Sequence, residues 1–84
     1  MRRQAHGFDR PTFLRMIAAI NRCDDASAAR IAARLRIPNT DARELAMDEV
    51  AAGYLRCETV THDHRYVVYR LTEKAHGEIG LVAV

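Results

Sequence analysis

Apolar residues recur at helical spacing through the first half of the chain and change to a two-residue alternation in the second. Leu14, Ile17, Ala18 and Asn21, with Phe13 and Ile20 beside them, form a largely apolar stripe, and Asp9-Arg10-Pro11 ahead of it has helix-start chemistry. A first helix is expected from about Pro11 to Arg22. Cys23-Asp24-Asp25-Ala26 breaks it, and Ser27 is a good N-cap for a second, short helix over Ala28 to Leu35. There Ala28, Ile31, Ala32 and Leu35 face inward, while Arg30 and Arg34, four apart, share the solvent side. Arg36-Ile37-Pro38 forms a turn, after which Asn39 or Thr40 caps a third helix running to Ala52. Its buried side is expected to hold Ala42, Leu45, Ala46 and Val50, with Met47 a further candidate. Ala29, Ala32 and Ala33 are expected to let the second and third helices cross closely.

Gly53 stands where the third helix must stop, because glycine alone takes a left-handed cap without penalty. Beyond it Leu55 and Cys57 alternate with Tyr54, Arg56 and Glu58, and Val67, Tyr69 and Leu71 alternate with Tyr66, Val68 and Arg70. This reads as a hairpin with one buried face. Its tip, roughly Thr61 to Arg65, lacks glycine, so a loop of three to five residues is expected instead of a tight primed turn. Thr72 can cap a short last helix reaching Glu78, and Gly80 to Val84 is an apolar tail. The expected core joins Leu45, Val50, Leu55, Val67, Tyr69 and Leu71 to Phe13, Leu14, Ile17, Ile31 and Leu35.

Eighty-four residues make one domain, 1–84, in which residues 1–8 read as a flexible N-terminal arm. No apolar run approaches the roughly 20 residues that span a bilayer, and the basic start Met1-Arg2-Arg3-Gln4 leads into Phe8-Asp9-Arg10-Pro11 instead of a signal core. No membrane association and a cytoplasmic location are expected. Cys23 and Cys57 lack CxxC spacing and read as reduced, partly buried thiols that are not bonded to each other. The net charge of +2 is unevenly spread. Residues 1–36 carry eight arginines against three aspartates, whereas residues 37–64 carry Arg43 and Arg56 against six carboxylates. A nucleic-acid footprint draws its affinity from neutralised phosphates, so the placement of the arginines matters more than their number.

Four motifs occur together: Ile31-Ala32-Ala33-Arg34-Leu35, Ile37-Pro38, Ala52-Gly53-Tyr54-Leu55-Arg56 and Tyr69-Arg70-Leu71-Thr72. In this order they resemble the small winged helix-turn-helix domains of bacterial transcriptional regulators, the MarR-like and PadR-like kind. The resemblance implies an α+β fold with a three-helix core, a β-hairpin wing and a short C-terminal helix. It also implies a DNA-binding regulator, a repressor that reads double-stranded DNA with helix 39–52 and wing 61–65, as a homodimer if the operator is a palindrome. Two departures stand out: Ala75 replaces a frequent glycine, and the sequence stops before the long C-terminal helix through which many relatives dimerise.

Resemblance and helix geometry together select the exposed early part of the third helix for DNA contact: Asn39, Thr40, Asp41, Arg43 and Glu44, with Met47 a further candidate. Arg43 can pair bidentately with guanine, Asn39 can serve adenine, and Thr40 or the helix N-terminus can meet a phosphate. Arg30, Arg34 and Arg36 would lie on flanking phosphates, and His62, His64 and Arg65 would form the wing contact. Asp41, Glu44 and Asp48 surround Arg43 with negative charge. An alternative role follows from them: a winged-helix interaction module, such as a phage- or plasmid-encoded inhibitor of a host machine, whose acidic third helix meets a basic protein surface. Cys57, His62 and His64 lie near one another in sequence, but no second Cys or His pair has metal-site spacing, so a core thiol and two turn histidines are favoured over zinc. No nucleophile elbow, glycine-rich phosphate loop or cofactor motif is present, and neither an enzyme nor a cofactor is expected.

Overall fold

The computed structural model describes residues 8–61 and 65–80. In chain order these form α1 (Arg10–Cys23), α2 (Ala28–Leu35), α3 (Asn39–Ala51), β1 (Leu55–Thr61), β2 (Arg65–Leu71) and α4 (Glu73–Ile79), so the fold is a small α+β arrangement of four helices and one antiparallel hairpin. Each element lies within two residues of its expected bounds. Among the described residues no helix is long and apolar enough to cross a membrane.

Local chemistry explains most boundaries. Pro11 sits in the first turn of α1, where its missing N–H would have had no helical partner anyway. Ser27 Oγ accepts the backbone N–H of Arg30 at 3.3 Å, as an N-cap should. Thr72 caps α4 through the N–H of Ala75 at 3.3 Å. Gly53 adopts φ 91° just past α3, and the N–H of Tyr54 reaches back to the carbonyl of Glu49 at 2.9 Å, the long-range bond of a Schellman-type ending. One cap differs from expectation. Pro38 takes the N-cap position of α3, without a side-chain bond, and Asn39 and Thr40 already lie within the first turn. In the preceding turn Arg36, the C-cap of α2, adopts φ 60°, ψ 50°, the one non-glycine positive φ among the described residues.

The hairpin pairs in register from Leu55 opposite Leu71 to Thr61 opposite Arg65, so residues 62–64 connect the strands. A feature invisible in the alternation is the second edge of β2. Ser27 forms an isolated bridge with Val68, and the Tyr69 N–H donates to the carbonyl of Ala26 at 2.9 Å. β2 is therefore held from both sides, by β1 and by the segment linking α1 to α2.

The core joins Phe13, Leu14, Ile17 and Ile20 of α1 to Ile31, Ala32, Ala42, Ala46, Leu55, Tyr69, Ala75 and Ile79, with Leu35, Leu45, Val50 and Leu71 half-buried against it. Several expected positions are corrected. Val67 is 43% exposed, because the Thr59–Val67 pair lies where the hairpin has outrun the helices, whereas Val68 on the opposite face is fully buried where the Ala26–Ser27 segment meets β2. Cys57 is exposed rather than a core thiol, and so is Cys23; both are free, as expected of an unbonded pair. Ala29, Ala33 and Met47 are also exposed, so Ala32 alone of the three α2 alanines expected to seal the contact with α3 is buried, in the same core as Ala42 and Ala46.

Candidate nucleic-acid interface

The third helix is sealed behind and open in front. Ala42 and Ala46 are fully buried, Leu45 and Val50 half-buried, and Asn39, Thr40, Arg43, Glu44, Met47 and Asp48 are exposed. The small alanines bring α3 close to α2, while the exposed positions recur every three to four residues and share one face. Arg43 has no ion-pair partner among the described residues, and its charge is felt by the Tyr69 phenol on the hairpin. Burial pushes that phenol above its ordinary range; Cys57 raises it further and Arg43 opposes the rise.

The other predicted residues divide. Arg34 and Arg36 are exposed and unpaired among the described residues. Arg30 instead holds Asp24 at 2.7 Å; with both side chains about half-exposed, the pair is weakly bound and exchangeable. Arg65 is exposed at the start of β2. His62 and His64 lie outside the described residues, as do residues 1–7 of the expected arm, whereas Phe8 is described and 38% exposed. Asp41 is half-buried in the first turn of α3, and Glu44 and Asp48 are exposed on the same helix as Arg43. Among the described residues no group of three or more His, Cys, Asp or Glu side chains is arranged to hold a metal ion.

Two sets of contacts, not anticipated from sequence, hold this face in place. At the far end of α3 two cations lie over the Tyr54 ring, the Arg10 guanidinium 4.3 Å and the Lys74 ammonium 4.6 Å from its centroid. Arg10 Nε also donates to Glu49 Oε1 at 2.8 Å, Lys74 Nζ to the carbonyl of Ala52 at 2.9 Å, and Thr72 Oγ1 to the carbonyl of Gly53 at 2.6 Å. The start of α1 and the start of α4 thereby clasp the C-terminus of α3. On the hairpin, Tyr66 OH donates to Asp25 Oδ2 at 3.0 Å, which lifts the phenol above its ordinary range, and Arg70 Nε donates to Glu58 Oε1 at 3.1 Å. Arg70 first, then Arg56, holds the Glu58 carboxyl below the usual carboxylate range. Apart from Arg56–Glu58, these pairs span 12 to 44 residues of sequence, from Glu58–Arg70 to Arg10–Tyr54, so no local pattern announces them. No protein-family model, curated protein or solved structure matches the chain.

Proposed function

We propose that the chain is a winged helix-turn-helix DNA-binding protein, a cytoplasmic transcriptional repressor that reads duplex DNA through the front of α3. The observation that carries this reading is the solvent-exposed face of α3 (Asn39, Thr40, Arg43 and Met47), opposite the buried Ala42 and Ala46. A helix presented in this way fits a B-DNA major groove about 12 Å wide. Arg43, exposed and without an ion-pair partner among the described residues, is the base reader, with Asn39 ahead of it. Thr40, Arg34, Arg36 and Arg65 hold phosphates, and Arg30 can exchange Asp24 for one. A palindromic operator would engage two copies. The test is a mobility-shift series on duplex DNA at rising salt, in which phosphate-driven affinity must fall. Arg43→Ala should lose about 1–3 kcal/mol on the preferred site and relax one base pair, while Arg34→Ala weakens every sequence alike. Absence of binding at low salt would refute the reading.

A second reading draws on the exposed Glu44 and Asp48 with Met47, 43% exposed, between them in sequence. An acidic surface with an apolar residue in it suits a basic protein partner. Reversing Glu44 and Asp48 to Lys should abolish such a complex, whereas on the DNA reading it preserves or strengthens non-specific duplex binding.

A further inference from the structure

Charge on this chain is segregated by surface as well as by sequence. A cleft of about 490 Å³ between α1, the base of the hairpin and α4 is lined by Arg15, Arg22, Arg56 and Arg70, with Ala18 and Leu71 as apolar wall, and no residue of α2 or α3 lines it. Glu58 serves both Arg56 and Arg70, each at 3.1 Å, and Asp25 faces Arg70 at 3.5 Å, so two carboxylates answer four guanidinium groups. Arg15 and Arg22 have no ion-pair partner among the described residues, and both are exposed, two helical turns apart on one side of α1.

The exposed face of α3 has the complementary character. Glu44 and Asp48 are exposed one helical turn apart, and Met47, 43% exposed, lies between them in sequence. Residues 1–36 carry eight arginines against three aspartates and residues 37–64 two arginines against six carboxylates, yet the whole chain carries only +2. A molecule with little net charge and opposite charges on separate surfaces is weakly repelled by its own copies and attracted to them in one orientation. The two surfaces also match group by group. A carboxylate fits the planar fork of an arginine in two parallel bonds, and an unbranched Met side chain adapts to an apolar wall.

We propose that a second copy of this chain docks its α3 on this cleft, with Glu44 and Asp48 meeting Arg15 and Arg22, and Met47 lying against Ala18 and Leu71. The proposal rests on the reading of the acidic α3 face as a protein-binding surface and names its partner. The contact is head-to-tail, since the two patches belong to different elements, and it is weak and salt-sensitive because the charges are solvated. A helix face laid into a groove is a recurring way for one protein to hold another. A second copy is favoured over an unrelated basic protein because the complementary surface is already part of this chain.

The test is sedimentation velocity of the full 84-residue chain, from micromolar to millimolar concentration at low and high salt. The mean mass should rise with concentration at low salt and return to that of the monomer at high salt. Arg15→Glu with Arg22→Glu, and separately Glu44→Lys with Asp48→Lys, all at exposed positions, should each weaken self-association about tenfold or more with unchanged thermal unfolding. An equal mixture of the two variants should associate again, because each offers the charge that the other has lost. Arg34→Glu with Arg36→Glu makes the same change of net charge outside the cleft and should leave association intact. Concentration-dependent backbone amide shifts should fall on residues 15–22, 44–48, 56 and 70–71. A monomer at millimolar concentration in low salt overturns the proposal, as does association that survives both charge reversals or maps to other residues. If the chain stays monomeric but its α3 binds an oligoarginine peptide, the second copy is refuted and the protein-binding reading stands; if neither binds, both fall.

Discussion

Replacing Arg10 by Met should release the C-terminus of α3 while leaving the core unchanged, because Met keeps the length of the aliphatic stem but removes the guanidinium. Two interactions disappear together: the 2.8 Å bond to Glu49 and the stacking 4.3 Å above Tyr54. A charged hydrogen bond can contribute about 1.5–3 kcal/mol, but the Arg10 side chain is 40% exposed and Glu49 14%, so solvent screening brings the pair to about 1 kcal/mol. A solvent-accessible cation–π contact adds about 0.5–1 kcal/mol. The expected loss is therefore about 1.5–2 kcal/mol, which in a domain of this size corresponds to a melting-point fall of about 6–15 °C by circular dichroism. A double-mutant cycle with Glu49→Gln isolates the ion pair, and its coupling energy should be near 1 kcal/mol. If Arg10→Met melts within a degree or two of the parent, or the cycle shows the two changes to be additive, the clasp does not hold α3 and the reasoning fails.

Leu14→Ala removes a fully buried side chain and should cost about 3–5 kcal/mol, whereas Leu45→Ala, half-buried beneath α3, should cost about 1–2 kcal/mol by urea denaturation; equal losses would contradict the packing. Arg36→Gly relieves a left-handed arginine and, after the entropy glycine adds to the unfolded chain, should stabilise by about 0.5–1 kcal/mol while weakening duplex binding. Tyr66 and Tyr69 both ionise above the ordinary phenol value of 10.0, so the stability they contribute is complete below that pH and is lost as pH rises through their folded values. Tyr66→Phe should flatten that alkaline loss, as read from melting points between neutral and strongly alkaline pH. Glu58 behaves oppositely: its depressed value makes its contribution present at neutral pH and lost as pH falls through and below the usual carboxylate range, so Glu58→Gln should reduce acid sensitivity in the same assay.

The helices were legible because their signals are local. Pro11, Ser27, Gly53 and Thr72 each perform at their own position the backbone task their chemistry predicts. The phase of β2 was also legible at Tyr69 and Leu71, yet Val67 and Val68 reversed their expected exposure. Alternation says which residues share a face, not how far the neighbouring helices extend along it, nor whether a distant segment covers the other side. Cys57 fails differently: its cross-strand partner Tyr69 is buried at the same level of the hairpin, so the cover there reaches β2 but not the neighbouring position of β1. The acidic surface of α3 followed from spacing alone. The cleft did not, since Arg15 and Arg22 face Arg56 and Arg70 only after the hairpin has folded back across α1.

The bridge between Ser27 and Val68 makes a ring of the chain between them. Residues 27 to 68 contain α2, α3 and most of the hairpin, so every described residue proposed to meet DNA lies within one loop whose neck is closed by hydrogen bonds and by the Tyr66–Asp25 contact. Closing a loop of this length removes about 4 kcal/mol worth of chain entropy when the closure is covalent, and a comparable ordering must be supplied here by burial around the neck. The neck has little to hold it until α1 has packed behind Tyr69. Folding should therefore commit late and as a whole, and the amide of Tyr69 should exchange with solvent only when the entire ring opens.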